Sequence, residues 1–344
     1  MIANFQKNNL HLVSYSEPFV GVMGLDKLKP HLHTRPDLPD AIPYVTSYYK
    51  RDWGFCLSHN EMLALPDGDY NVVVDTEFRD GHLDIGEAVL PGKPAYGSIL
   101  LSSYLCHPSM ANDQLSGPLV MAGVYEAIKE WKLKYTYRFA LFPETIGSLA
   151  YLSLRRPIHP IAAGFHLVCL GNDSHIKYRE TFTGDTLADR VAGAVFTKSY
   201  ARLPYDPTKG SDERQFCSPG FRLPVVTVMK AVPGGYPQYH TSLDCKGYVT
   251  ASDILASINS IIPLIATLER NAEWGYPRRT EPHGEPQLGK HDLYPHDGPN
   301  PKALMWVLAL ADGKHDVLQM AERSGQPIAA IIHALAQCRE KGLI

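Results

Sequence analysis

The segment SILLSSYLCHPSMANDQLSGPLVMAGVYEAIKEW, residues 98–131, changes hydrophobic pattern once along its length. Residues 98–105 are rich in Leu and Ile, as in a strand covered on both faces. From Leu115 to Trp131 the pattern becomes that of an amphipathic helix. A strand followed at once by a helix is the repeating half of a parallel sheet, because a parallel neighbour needs a long crossover. The two are joined by CHPSMANDQ (106–114), a polar loop at the strand's carboxyl end.

The same unit recurs downstream. YRFALF (137–142) is followed by TIGSLAYLSL (145–154), and GFHLVCL (164–170) by LADRVAGAVFTKSY (187–200). LPVVTVM (223–229) precedes the long helical stretch 252–274. This alternation, from about Gly97 to Glu281, predicts an α/β domain with a mainly parallel sheet and helices on both faces. Upstream, Leu10–Pro91 is rich in Pro, Tyr, Asp and Gly and reads as a small β domain. Within it NVVVDTEF (71–78), flanked by the turn signals PDGDY and RDGHL, predicts a hairpin. Tyr48, Tyr49 and Trp53 read as packing residues of that domain, and His31–His33 as a solvated strand. Residues 276–302 are dense in Pro, Gly and charge and predict an extended linker. Residues 303–344 read as three helices broken at Asp312-Gly313 and at Ser324–Pro327, the size and pattern of a winged-helix-like domain.

A chain of 344 residues has room for two or three domains. With 44% hydrophobic and 20% charged residues its composition is that of an ordinary globular protein. A net charge of −3 creates no field that would gather nucleic acid or anionic membrane. No stretch reads as the ~20 apolar residues of a spanning helix. The start, MIANFQKNNLHLV, lacks the basic and apolar regions of a signal peptide. The expectations are therefore a cytoplasmic location and no membrane partner. A homo-oligomer is compatible with the sequence. The six cysteines are scattered without a CxxC pair, which argues against a disulfide framework or a zinc ribbon. Most read as small core residues, with Cys106 and Cys169 next to the loops of interest.

In open α/β sheets the chemistry gathers at the carboxyl ends of the strands. After 98–105 come His107 and Asp113, side chains of the kind Zn²⁺ uses when it keeps a position open for water. Each has a plain alternative, Asp113 as a helix cap and His107 as a loop residue. After 137–142 comes Glu144, costly at the end of an apolar strand unless paired or used. It suits a metal ligand, a base for activating water, or a residue favoured at a helix N-terminus. Gly171–His175 carries polar groups of the right type but gives a weak signal, and a turn reading of Asp173 is equally good. GSDERQF (210–216) and YPQYHTSLD (236–244) follow, and His240 suits a last ligand.

The order His107, Asp113, Glu144, His240 on an alternating α/β chain resembles the clan of co-catalytic zinc aminopeptidases, which includes glutaminyl cyclases. ANDQLSG, PETIGS, SDERQF and YHTSLD carry the likeness. Over nearly the whole chain the sequence is similar to bacterial aminopeptidase-like proteins that join such a domain to an inserted β domain and a C-terminal winged helix. IPYVTSYYKRDWGFCLS, YLCHPSMANDQLSGP, FPETIGS and QYHTSLD carry that second likeness. The resemblance implies residues 1–10 as the start of the aminopeptidase-like domain, 11–93 as the inserted β domain, 94–281 as the α/β domain, and 282–344 as linker and winged helix. It also implies a longer lead segment before KNNLHLV.

The resemblance further implies His107 as first zinc ligand, Asp113 as the central ligand, His240 as the last, and Glu144 as general base. Asp212 matches a polar residue beside the site that supports catalysis. Two ligands of the clan are replaced: Thr145 stands for its second Glu, and Cys169, or Asp173 with a shifted loop, for its third-strand Asp. One or two Zn²⁺ ions are therefore expected, with Glu144 as base or as recruited ligand. The implied activity is removal of an N-terminal amino acid from a small peptide or an aminoacylated small molecule. The alternatives are mononuclear zinc acyl transfer of the glutaminyl-cyclase kind and a non-catalytic binding protein. Nucleic acid is not the expected partner, because the last helix carries only Arg339 and Lys341 as fixed positive charges.

Overall fold

The computed structural model describes residues 1–154, 160–293 and 300–344. Part of the predicted linker, 294–299, lies outside the described residues. The small β region holds Phe19–Gly24 (β1), Leu25–Leu28 (α1), Leu32–His33 (β2), Phe55–Cys56 (β3), His59–Leu63 (α2) and Asp69–Val74 (β4). β1 and β4 pair antiparallel, from Phe19↔Val74 to Gly24↔Asp69, and β2 pairs parallel with β3. The hairpin expected around residues 71–78 does not form, since the partner of β4 is the distant β1. Its valines alternate: Val72 and Val74 are buried while Val73 is exposed. Trp53 packs as expected, stacked on Phe19 and His31, whereas Tyr49 stands in solvent beside Tyr48.

The chain then enters the large sheet through Gly86–Leu90 (β5), followed by Ser98–Tyr104 (β6), Thr136–Phe142 (β7), Ile161–Leu167 (β8), Lys177–Arg179 (β9), Arg202–Leu203 (β10) and Val225–Met229 (β11). Among the described residues these seven strands form one sheet in the order β10-β9-β11-β8-β6-β7-β5. Neighbours are parallel except at β9/β11 and β5/β7. Residues 86–90, expected in the inserted domain, thus form an edge strand of the α/β sheet. They are exposed or half-buried up to Leu90, as befits an edge, which a search for apolar runs passes over.

The helices are Ser116–Ile128 (α3), Ile146–Leu154 (α4), Leu187–Val195 (α5), Glu213–Phe216 (α6) and Ala251–Trp274 (α7). Alternate strand residues feed two cores. Ile99, Leu101, Tyr137, Phe139, Phe165 and Val228 pack with α3, α5 and α7 on one face. Leu100, Ala140, Phe142 and Val225 pack with Tyr151 and Leu152 of α4 and Phe216 of α6 on the other. This two-sided burial explains the near-continuous apolar runs. By length and composition α7 could cross a membrane, contrary to the sequence reading. Here its Ile261, Leu264, Ile265 and Leu268 fill the sheet core.

The C-terminal domain consists of Pro301–Leu310 (α8), Val317–Ser324 (α9) and Ile328–Glu340 (α10), separated at the predicted breaks. Asp316 and Gln319 cap α9 reciprocally, and Gly325 ends it with φ +64°. Leu318 of α9 is fully buried in the core of the large sheet, and Asp316 pairs with Arg190 of α5 at 2.9 Å. Arg339 lies over the Trp274 ring at 3.9 Å, and Lys341 pairs with Asp292.

Candidate metal centre

Three of the expected residues converge at the carboxyl end of β6. One ligand atom each from His107, Asp113 and His240 lie within 4.8 Å of one another. His107 follows β6 and is buried. Asp113 is not a helix cap. It sits in a π-helical turn, Ala111–Leu115, that runs into α3, an irregularity found preferentially at functional sites. The turn packs so close to the sheet that Gly117 has no room for a side chain: a Cβ there would stand 2.3 Å from Leu167 O and from Ser103 Oγ.

The turn is held by a residue the sequence reading gave no role. Asp244 accepts hydrogen bonds from the backbone N–H of Ala111 (3.2 Å), Asn112 (2.6 Å) and Asp113 (3.0 Å), and from the Tyr236 hydroxyl (3.1 Å). On the other side of Asp113, the buried Tyr104 hydroxyl donates to Oδ1 at 2.5 Å. Burial alone would raise the Asp113 carboxyl, but His240, His107 and Tyr104 beside it hold it below the ordinary carboxylate range.

Asp113 Oδ2 and His240 Nε2 lie 3.2 Å apart, out of line for a hydrogen bond. Both atoms are buried and neither has a hydrogen-bond partner. Two buried lone-pair atoms without a hydrogen-bond partner, grouped with a second imidazole, are what a cation would satisfy. The set of two imidazoles and one carboxylate is that of an open-position zinc site.

His240 is placed partly by the small β region. Tyr44 N–H donates to His240 O (2.8 Å), Ser242 N–H to Ile42 O (2.8 Å), and Ile42 N–H to Ser242 Oγ (3.0 Å). The Tyr44 ring stands edge-on to His240 and His107, and Tyr239 stacks on His240 with centroids 3.9 Å apart. Tyr44 therefore forms a wall of the site, a role the sequence does not announce.

Glu144 does not join the three-residue group. Its Oε2 is 3.7 Å from His107 Nε2, and its Oε1 accepts from Ser211 Oγ at 2.6 Å. Asp212 lies apart from the three donors and is completely buried. Its Oδ1 accepts from Thr145 N–H (2.7 Å) and Ser148 Oγ (2.6 Å), so it holds the turn that carries Glu144. Burial pushes the Asp212 carboxyl up to about 7. The neighbouring Glu213, also buried, fixes the same loop through Ser211 N–H and Thr227 Oγ1.

At the two replaced positions the backbone keeps an unusual shape. Thr145 has φ +65° and Cys169 φ +48°, as do His240 (+53°) and Ser109 (+57°) nearby. A left-handed β-branched residue is strained, and such strain gathers at functional sites. Cys169, not Asp173, occupies the place beside Asp113: its Sγ is 3.7 Å from Asp113 Oδ1, whereas Asp173 is exposed. Burial, and then the charge of Asp113, push this thiol up.

Residues 29–271 match a family described as a domain of unknown function, DUF4910. The chain belongs to the DUF4910 family. Residues 275–344 match a winged helix-turn-helix family, which identifies α8–α10 as a winged-helix domain. A Clostridium acetobutylicum protein provisionally named for polysaccharide biosynthesis, with an aminopeptidase-like domain, is 39% identical over 97% of this chain and 78% of its own length. A crystal structure of a protein from the same organism, provisionally called a peptidase, superposes with a TM-score of 0.88 at 38% identity, over 98% of this chain and 78% of the other. A zinc aminopeptidase from Bacillus subtilis superposes with a TM-score of 0.52 at 13% identity, over 75% of this chain and 78% of its own. This DUF4910 chain thus has the zinc-aminopeptidase fold with a winged helix attached.

Proposed function

We propose that this chain is a mononuclear zinc hydrolase that removes an N-terminal amino acid from a small peptide or an aminoacylated small molecule. The observation that carries the reading is the pair of orphaned buried atoms, Asp113 Oδ2 and His240 Nε2, within one group with His107. These three residues would hold the ion. A single site fits the replacement of two clan ligands by Thr145 and Cys169. When bound, Zn²⁺ polarises a carbonyl and lowers the pKa of a water toward about 7.

The chain's own residues supply the rest. Glu144, tethered through Oε1, keeps Oε2 directed at the His107 side of the site, where it accepts a proton from the attacking water and returns it to the leaving amine. Tyr44 and Tyr239 wall the site and limit how much substrate enters. Tyr104 and Asp244 hold Asp113 in place.

The test is a hydrolysis panel on zinc-reconstituted protein. It contains aminoacyl p-nitroanilides, dipeptides, N-terminal glutaminyl peptides and, following the relative's name, N-aminoacyl amino sugars. Release of a free amino acid supports the proposal. Cyclisation of glutaminyl peptides without amino-acid release replaces it by acyl transfer, and inertness toward the whole panel counts against hydrolysis.

A further inference from the structure

Beneath Glu144 runs a chain of polar side chains buried between strands of the sheet. His166 is one of them, a fully buried imidazole in the otherwise apolar strand β8. Both its nitrogens have partners. Nδ1 is 3.0 Å from Ser102 Oγ on β6, and Nε2 is 3.2 Å from Ser211 Oγ, just before α6. Ser211 Oγ in turn donates to Glu144 Oε1 at 2.6 Å. Ser102 and Ser211 are themselves buried.

The direction of the chain follows from donor counting. An ionised carboxylate only accepts, so the one hydroxyl proton of Ser211 is committed to Glu144. Ser211 Oγ can then only accept from His166, which requires the Nε2–H tautomer. Nδ1 is left as an acceptor for the Ser102 hydroxyl. Burial lowers the His166 pKa to about 3, so the ring stays neutral over the working range. Each member is satisfied, and a satisfied buried network fixes geometry where a bare apolar core would not.

We infer that Ser102, His166 and Ser211 are positioning residues for Glu144: they tie Oε1 down from below and leave Oε2 as the oxygen that faces the reaction. The inference rests on the proposed role of Glu144 as base. It adds a reason for polar residues in the middle of two core strands, where each uncompensated group would be costly.

Two measurements test it. The first needs no substrate. In the folded protein, ring-selective ¹⁵N NMR of His166 should show a protonated Nε2 and a bare Nδ1, and the Nε2–H resonance should shift in Ser211→Ala. The spectra are compared at one pH, because Asp212 Oδ2 lies 3.8 Å from Nε2 and titrates in the neutral range. A protonated Nδ1, or a resonance indifferent to Ser211→Ala, overturns the chain as drawn. The second uses whichever panel substrate is turned over. Ser211→Ala should lower kcat by ~10- to 100-fold with KM and bound zinc unchanged, since a misplaced group costs up to about that much. Ser211→Thr, which restores the hydroxyl, should recover most of the loss. Wild-type kcat in Ser211→Ala, or no recovery in Ser211→Thr, refutes the positioning role. Inertness of the wild type toward the panel would sink the proposed function, and the NMR result would then still decide whether the hydrogen-bond chain exists.

Discussion

Glu144 and Asp212 are two acids in one small region with different environments. Glu144 is a quarter exposed at its side chain and faces His107, whereas Asp212 is fully enclosed. If Glu144 is the base, Glu144→Gln keeps the Ser211 hydrogen bond and the zinc but loses the proton acceptor. Turnover should fall by ~100-fold or more, while elemental analysis finds unchanged metal. Asp212 predicts a pH effect on stability. Its folded pKa of about 7 lies above the ordinary carboxyl value of about 4. Below that lower value both states hold the proton. Between the two the unfolded chain releases it and the native state does not, so stability falls as pH rises through this window. Asp212→Asn should flatten that slope in urea unfolding at pH 5 and pH 7, and an identical slope would contradict the assignment. His107, Asp113 and His240 were legible because polar residues at strand ends stand out against apolar runs. His166 gave a comparable signal, a histidine inside an apolar strand. Asp244 and Ser211 gave none, since their roles depend on contacts distant in sequence.

At the scale of elements, the site depends on the π-helical turn 111–115 and on what caps it. Asp244→Ala leaves the buried N–H groups of Asn112 and Asp113 without their acceptor, while Ala111 N–H keeps the carbonyl oxygen of residue 244. The expected cost is about 2 kcal/mol or more in chemical denaturation, with zinc affinity weakened by ~10- to 100-fold. Full stability with full affinity would show that the turn holds itself. Strands β6, β7, β8 and β11 were legible because both faces are buried and their sequences run apolar. β5 is largely exposed at the sheet edge, and β9 and β10 are too short to carry a pattern. The pairing of β1 with β4 was illegible for another reason. A turn signal predicts a local hairpin, while the hydrophobic face of β4 is satisfied equally well by a distant partner.

Across the whole molecule, neither flanking part stands apart from the α/β domain. The small β region pins the His240 loop through Ile42 and Tyr44, and the winged helix inserts Leu318 into the sheet core. Leu318→Ala should therefore destabilise the α/β domain as well as the winged helix, by about 2–5 kcal/mol. An α/β domain that melts at its wild-type temperature in this variant would mean the domains are energetically separate. The three-helix pattern of residues 303–344 was readable from its Gly and Pro breaks, but its docking was not, because one leucine on α9 looks like any other. The central claim is that His107, Asp113 and His240 form one zinc site. It is tested most directly by elemental analysis of zinc per chain after reconstitution, in wild type and in His107→Ala, Asp113→Asn and His240→Ala. The account predicts one zinc per wild-type chain and a marked loss in each variant. No zinc in the reconstituted wild type, or one zinc that survives all three substitutions, would contradict it.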